Sequence, residues 1–374
     1  MKKLICFILI FIVTLGICPV SQAADIPAPS YILVESSTFT VLKEKNAHER
    51  LCPASVTKIM TMLLVMEAID SGSISLSDIV TTSGHASSMG GSQIYLSVGE
   101  QMTVDDMLKA VAVASANDAA VALAEFIGGS EANFVDMMNT RAHELGMKNT
   151  TFKNPTGLHE DGHITTAYDI ALMSCELLKH ETITNYTTIW TDTLRNGSWD
   201  LANTNKLVRY YDNCTGLKTG FTDNAGFCLS ASAKRDGMSL IAVVLNCDTT
   251  DNRFNSARSL LDYGFSKYCI TPVYPDDVVL PIPVILGKKD EVQPIMQSEE
   301  YIVIDRASVK DLKEELLLCD SVEAPVEKGQ VLGTLTVTLH DKILKTVNMV
   351  AYEDIKRLSF FDIFLIFLSH FTKT

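Results

Sequence analysis

Ser55-Val56-Thr57-Lys58 sets a hydroxyl and an amine three positions apart, which a helix brings to one face. A serine hydroxyl is a weak nucleophile until a base takes its proton. A lysine does that only as the neutral amine, and burial or a second nearby cation lowers its pKa. The positive end of a helix beside the serine also favours the negative charge that develops during attack. Two more strings follow, Ser115-Ala116-Asn117 and Lys218-Thr219-Gly220. Each of the patterns S-x-x-K, S-x-N and K-T-G occurs once. Alone, the first is an exposed lysine on an amphipathic helix and the second a helix cap. Together they would offer a nucleophile with its base, a second hydroxyl beside an amide, and a second cation, the groups that covalent catalysis through a serine needs.

The elements that must position these groups are legible around them. Pro53-Ala54 leads into an apolar helix from Ser55 to Ile69, closed by Ser71-Gly72. Helices at Val104–Val113 and Asp118–Phe126 flank the second string, so a turn between them points Ser115 and Asn117 into a cleft. A further helix runs from Glu131 to Leu145, and Asn154-Pro155-Thr156-Gly157 is a turn. Early strands at Tyr31–Glu35 and Phe39–Leu42 form a hairpin. Another joins Gly226–Ala233 to Ser239–Asn246 through Arg235-Asp236-Gly237. Lys218-Thr219-Gly220 belongs on an edge strand, with Gly220 admitting a close backbone. If that strand lies beside the first helix, Lys218 is the second cation for Lys58. A helix at Asn252–Tyr263 ends this part of the chain.

From Ile270 the pattern changes. Pro272, Pro275, Pro281 and Pro283 cluster, helical periodicity stops, and the strands end in a hairpin, Val331–Leu339 with Ile343–Val350. On a helical wheel from Ile355 to Phe371, Leu358, Phe360, Phe361, Phe364, Leu365, Phe367, Leu368 and Phe371 share one face. Lys356, Ser359, Asp362, Ser369 and His370 share the other, with Ile363 and Ile366 intruding on it, as in a helix lying in the plane of a membrane. Asp362 and the short apolar run argue against a spanning helix. A core helix packed on the β region is the alternative.

Lys2 and Lys3, the apolar run Leu4–Gly16 and Ser21-Gln22-Ala23 read as an export signal that is removed. A formal charge of −14 makes nucleic acid a poor partner. Hydrophobic content of 47% with 20% charged residues indicates a well-cored chain. Cys6 and Cys18 fall in the signal, and the other cysteines show no disulfide framework or paired C-x-x-C zinc spacing. They are expected to be mostly buried thiols, with Cys52 and Cys214 close enough to the strings to be reactive.

The ordered triple resembles the signature of serine enzymes that react with penicillin. Over most of its length the chain resembles the D-alanyl-D-alanine carboxypeptidases among the low-molecular-weight penicillin-binding proteins. That resemblance implies an α/β (α+β) architecture, β-lactamase/transpeptidase-like, with an antiparallel sheet flanked by helices. It also implies a small C-terminal β domain and an amphipathic tail helix. The expected divisions are residues 1–23 (signal), 24–269 (catalytic), 270–352 (β-rich) and 353–374 (tail). By the same resemblance Ser55 is the nucleophile, Lys58 its base, and Ser115 the relay of a proton to the leaving amine. Asn117 hydrogen-bonds the substrate amide, and Lys218 and Thr219 bind the free carboxylate beside Gly220. The N–H groups of Ser55 and Phe221 form the oxyanion hole. The implied partners are peptidoglycan stem peptides ending in D-Ala-D-Ala, β-lactam antibiotics and a membrane surface on the wall side. The chemistry calls for no metal and no cofactor.

Three rivals compete. His159-Glu160-Asp161-Gly162-His163 spells the zinc-protease string H-E-x-x-H, but Asp161-Gly162 and the preceding turn predict a loop rather than the required helix. A class A β-lactamase has S-D-N as its middle string, where Ala116 stands here, and its E-x-x-x-N loop has no convincing match around Glu160. A non-catalytic penicillin-binding sensor or wall scaffold keeps the fold without turnover; intact Ser55 and Lys58 weigh against it.

Overall fold

The computed structural model describes residues 26–371, with side chains to Leu368. The expected signal, with Cys6 and Cys18, lies outside the described residues. Five antiparallel strands form the central sheet: β1 (Ser30–Glu35), β2 (Thr40–Lys45), β3 (Cys214–Thr222), β4 (Gly226–Arg235) and β5 (Met238–Cys247). Their order is β2-β1-β5-β4-β3, so β3, which carries Lys218-Thr219-Gly220, is an edge strand as expected. Asp236 and Gly237, both at positive φ, make the two-residue β4–β5 turn.

The sheet is covered on both faces, which is why β1 is buried at every position. Ile32 and Val34 face one apolar cluster, with α1 (Lys58–Asp70), α3 (Asn117–Gly128) and α5 (Ala167–Lys179). Between these in sequence lie α2 (Val104–Lys109) and α4 (Glu131–Glu144). Tyr31 and Leu33 point the other way, onto α6 (Thr250–Lys267) through Phe254, Leu260 and Leu261. The alternation of neighbouring side chains across a strand produces these two layers.

Two helix expectations need correction. The first helix does not begin at Ser55: Ala54–Thr57 form a single 3-10 turn and the α-helix starts at Lys58. The second concerns the stretch between the turn at Gly157 and Asn213, for which no element is expected from the sequence, yet α5 fills the layer behind the sheet there. Its signal was present. Thr166 caps the helix by accepting from the Asp169 N–H, ahead of buried Ile170, Ala171, Met173 and Leu177.

Helix α6 passes at Tyr268 directly into a strand, Tyr268–Pro272, that pairs with Tyr301–Asp305. The β-rich region has its own cores, including Ile282, Val284, Val326 and Ile355 in one and Leu335, Val337 and Met349 in the other. The tail helix α7 (Phe360–Phe371) starts later than the wheel predicted. Ile355 is 1% exposed and bridges to Val326, and the Leu358 N–H donates to the Leu286 carbonyl. Ser359 and Asp362 cap each other reciprocally, which sets the start of α7. From Phe360 to Leu368 every apolar side chain is exposed, so the packed-helix alternative does not describe this segment. The parts of the wheel resting on Ser369, His370 and Phe371 lie outside the described side chains. Among the described residues no helix is long and apolar enough to cross a membrane.

The expectation of mostly buried thiols is not met. Cys52, Cys175, Cys214, Cys228, Cys247, Cys269 and Cys319 are free thiols, but only Cys175, Cys228 and Cys247 are buried and Cys319 is exposed. Burial pushes the Cys214 thiol up to about 11, so it is not a reactive thiolate at neutral pH.

Candidate active site

Ser55 projects from the 3-10 turn, and Lys58, three residues on, is fully buried. Lys58 Nζ lies 3.1 Å from Ser55 Oγ, 2.6 Å from Asn117 Oδ1 and 2.7 Å from the Thr156 carbonyl. Desolvation lowers the Lys58 pKa well below its ordinary value, Lys218 lowers it further, and Asp118 opposes both. A neutral amine has two hydrogens and one lone pair. Asn117 Oδ1 and the Thr156 carbonyl can only accept, so they take the hydrogens. The lone pair is left for the Ser55 hydroxyl, which is the arrangement a general base needs.

The second string is positioned by an irregularity. Helix α2 widens into a π turn, Ala110–Ala114, and Ser115 then adopts a left-handed conformation at φ 62°. Ala116 is extended and α3 begins at Asn117, so Ser115 and Asn117 are both buried at the join. The Asn117 carboxamide is engaged at both ends: its oxygen accepts from Lys58, and its Nδ2 donates to the Gly90 carbonyl at 2.7 Å. Its backbone N–H donates to the Ser92 carbonyl at 2.7 Å. Residues 90–96, an irregular arm, thus wall the site on the Asn117 side.

The third string lies on the open side of β3. A Cβ at Gly220 would come 2.8 Å from the Pro53 carbonyl and 3.1 Å from the Ser55 nitrogen, so only glycine lets the strand meet the Ala54–Thr57 turn. Lys218 Nζ donates to the Thr219 carbonyl at 3.1 Å, and burial with the nearby Arg253 lowers its pKa to about 7. Thr219 Oγ1 donates to Thr204 Oγ1 at 2.7 Å. Phe221 is exposed at the mouth and stacks on Phe227, centroids 4.4 Å apart.

The structure therefore gathers Ser55, Lys58, Asn117 and the Lys218–Phe221 segment around one cleft, with Ser115 buried two residues before Asn117. It adds residues the sequence did not announce. Arg253 on α6 reaches under β3, donates to the Gly220 carbonyl at 3.3 Å and leaves its buried Nε without a hydrogen-bond partner among the described residues. Thr156 supplies a carbonyl to Lys58, and Gly157 packs on the Ala54–Thr57 turn. The Gly90-Gly91 pair was the one local hint of the wall on the Asn117 side. A cavity of about 710 Å³ opens elsewhere, beside Glu35, Cys175 and Lys234 at the far end of the sheet, and contains none of these groups.

The rival strings fall apart in three dimensions. His159 and His163 lie in a loop, not on a helix. His159 pairs with Asn224 at 3.1 Å, while buried His163 bonds Thr57 Oγ1 at 2.9 Å. Glu160 is exposed and accepts from Asn154 at 3.4 Å.

Comparison with known proteins points one way. Residues 19–249 match the family model described as D-alanyl-D-alanine carboxypeptidase, and residues 270–357 match the penicillin-binding protein 5 C-terminal domain. The chain is 46% identical to D-alanyl-D-alanine carboxypeptidase DacF of Bacillus subtilis, with 96% of each covered. It is 34% identical to D-alanyl-D-alanine carboxypeptidase DacA of Escherichia coli, over 90% of this chain and 86% of the relative. Penicillin-binding protein 5 from Haemophilus influenzae is similar with a TM-score of 0.79 at 30% identity, covering 89% of this chain and 98% of its own. Penicillin-binding protein D2 from Listeria monocytogenes, solved in an ampicillin-bound form, is similar at TM-score 0.59 and 32% identity, covering 65% and 99%.

Proposed function

Because this chain belongs to the D-alanyl-D-alanine carboxypeptidase family, we propose that it releases the terminal D-Ala of peptidoglycan stem peptides through an acyl-enzyme on Ser55. The observation that carries this reading is the environment of Lys58, a buried amine with its lone pair left for Ser55 Oγ. Lys58 takes the hydroxyl proton as Oγ attacks the carbonyl carbon of the penultimate D-Ala. The oxyanion is received by the N–H groups of Ser55 and Phe221. The C–N bond then breaks, and the proton passes from Lys58, by way of Ser115, to the departing amine. Water next attacks the ester, gives its proton to the same base, and Ser55 is regenerated with release of the shortened peptide.

Lys218 in its protonated form and Thr219 receive the substrate's free carboxylate, with Arg253 adding positive charge behind Gly220. Asn117 meets the substrate amide by exchanging its Gly90 contact for the peptide. A β-lactam, mimicking the D-Ala-D-Ala end, acylates the same serine and is hydrolysed slowly. The β-lactam-complexed relative supports that step. The exposed apolar run of α7 supports peripheral attachment to the outer face of the plasma membrane, after export directed by residues 1–23. The deciding experiment is D-Ala release from a D-Ala-D-Ala peptide together with fluorescent-penicillin labelling. Ser55→Ala is expected to abolish both; labelling that persists on another serine overturns the assignment.

A further inference from the structure

Asp118 follows Asn117 in the first turn of α3 and is fully buried. Among the described residues no basic side chain hydrogen-bonds to it. Its two oxygens instead accept backbone N–H groups: Ile94 at 3.2 Å, Leu96 at 3.0 Å and its own neighbour Ala119 at 2.9 Å. A buried carboxylate is costly unless it is fully hydrogen-bonded, and one at a helix N-terminus gains from the helix dipole. Two of its donors belong to the 90–96 arm, whose carbonyls at Gly90 and Ser92 hold Asn117. The arm is gripped a second time from outside, where Arg195 donates to the Ile94 carbonyl at 2.9 Å and pairs with Glu100 at 2.7 Å.

We infer that Asp118 is a positioning residue for acylation, clamping the 90–96 arm so that Asn117 is held against Lys58. Neighbouring side chains thus divide the work: Asn117 touches the base, and Asp118 fixes the wall that orients Asn117. The carboxylate also acts on Lys58 through space. Lys58 is faced by Lys218 from β3 and by Asp118 from α3, and only Asp118 favours its charged form. Asparagine at 118 is nearly isosteric, but it removes the charge and turns an NH₂ toward backbone N–H donors.

This inference rests on Lys58 being the base for Ser55, so the experiment separates the two. The second-order rate of acylation by a fluorescent penicillin is measured from about pH 5 to about pH 9 on the full mature chain. The proteins are wild type, Asp118→Asn, Arg195→Ala and Lys58→Ala. Asp118→Asn is expected to lose about tenfold or more at neutral pH. Its acid limb should also move to lower pH, because the group that favours protonated Lys58 is gone. Arg195→Ala loosens the same arm from outside and is expected to slow acylation with the acid limb unmoved. A wild-type rate in Asp118→Asn, or a slowed rate with an unmoved limb, overturns the inference. Should Asp118→Asn not fold, a wild-type rate in Arg195→Ala overturns it by showing that the arm does not position the site. Unimpaired acylation in Lys58→Ala would instead sink the reading of Lys58 as base.

Discussion

Gly157 stands directly on the backbone of Ala54: a Cβ at residue 157 would lie 1.8 Å from the Ala54 carbonyl oxygen and 2.8 Å from Thr57 Oγ1. The same loop gives the Thr156 carbonyl to Lys58. Gly157 also has φ +80°, where side chains are strained. Gly157→Ala is therefore expected to push the loop off the Ala54–Thr57 turn. The expected costs are about 2–4 kcal/mol of stability and a large fall in penicillin acylation. Urea unfolding and labelling kinetics check it; a variant with wild-type values for both would show that this contact does not position Lys58.

A second expectation concerns pH and the substrate carboxylate. Lys218, at about 7, is cationic below neutrality and neutral above it, so its attraction for a free carboxylate is lost as pH rises through about 7. The kcat/KM for a D-Ala-D-Ala peptide should fall on that alkaline side, and a C-terminally amidated peptide should lack the limb. Arg253 lowers the Lys218 pKa, so Arg253→Ala should carry the limb to higher pH while weakening binding overall. An identical limb for amidated and free peptides would mean the carboxylate is not read by Lys218.

His163, a residue of the misleading H-E-x-x-H string, yields a prediction about acid stability. Its Nδ1 accepts from the Lys153 N–H at 3.4 Å, so Nε2 carries the proton and donates to Thr57 Oγ1. Burial, then Lys153 and His159, lower its pKa from 6.5 to about 4. The folded value is depressed, so the contribution is complete above 6.5 and is lost as pH falls through 6.5 toward 4. The loss is on the order of 3 kcal/mol. Denaturation at neutral pH and near the lower value should show a steeper decline for wild type than for His163→Gln. Parallel declines would refute it.

The short strings were legible because chemistry restricts which side chains can serve: a nucleophile and base at helical spacing, and a strand with a cation and a glycine. Strand and helix positions near them followed from apolar periodicity. What escaped notice depends on backbone or on distance. The Thr156 carbonyl has no side-chain signature, and Arg253 meets Gly220 only because α6 crosses beneath β3. The π turn before Ser115 and the 3-10 turn at Ser55 look like ordinary helix in sequence. Helix α5 is a different case, since its Thr166 cap and apolar spacing could have been read.

The start of the tail lies later in the structure than the expected division at residue 353. Cutting after Tyr352, the expected end of the β-rich region, would strip Ile355 from a core where it is 1% exposed. That truncation should cost the β region about 2–5 kcal/mol. Cutting after Leu358 keeps Ile355, the Leu358–Leu286 hydrogen bond and the Arg357–Glu323 pair, and removes only α7. In the full chain, Asp362 pairs with Lys288 at 3.0 Å, so the start of the exposed helix is held against the β region. Inserting several of its phenylalanines and leucines into a bilayer interface, at about 1.5–3 kcal/mol each, is enough for firm attachment. The mature full-length protein should therefore sediment with liposomes, and the chain ending at Leu358 should stay in the supernatant with D-Ala release unchanged. Co-sedimentation of the shortened chain, or a full-length protein that ignores liposomes, would show that α7 is not the anchor.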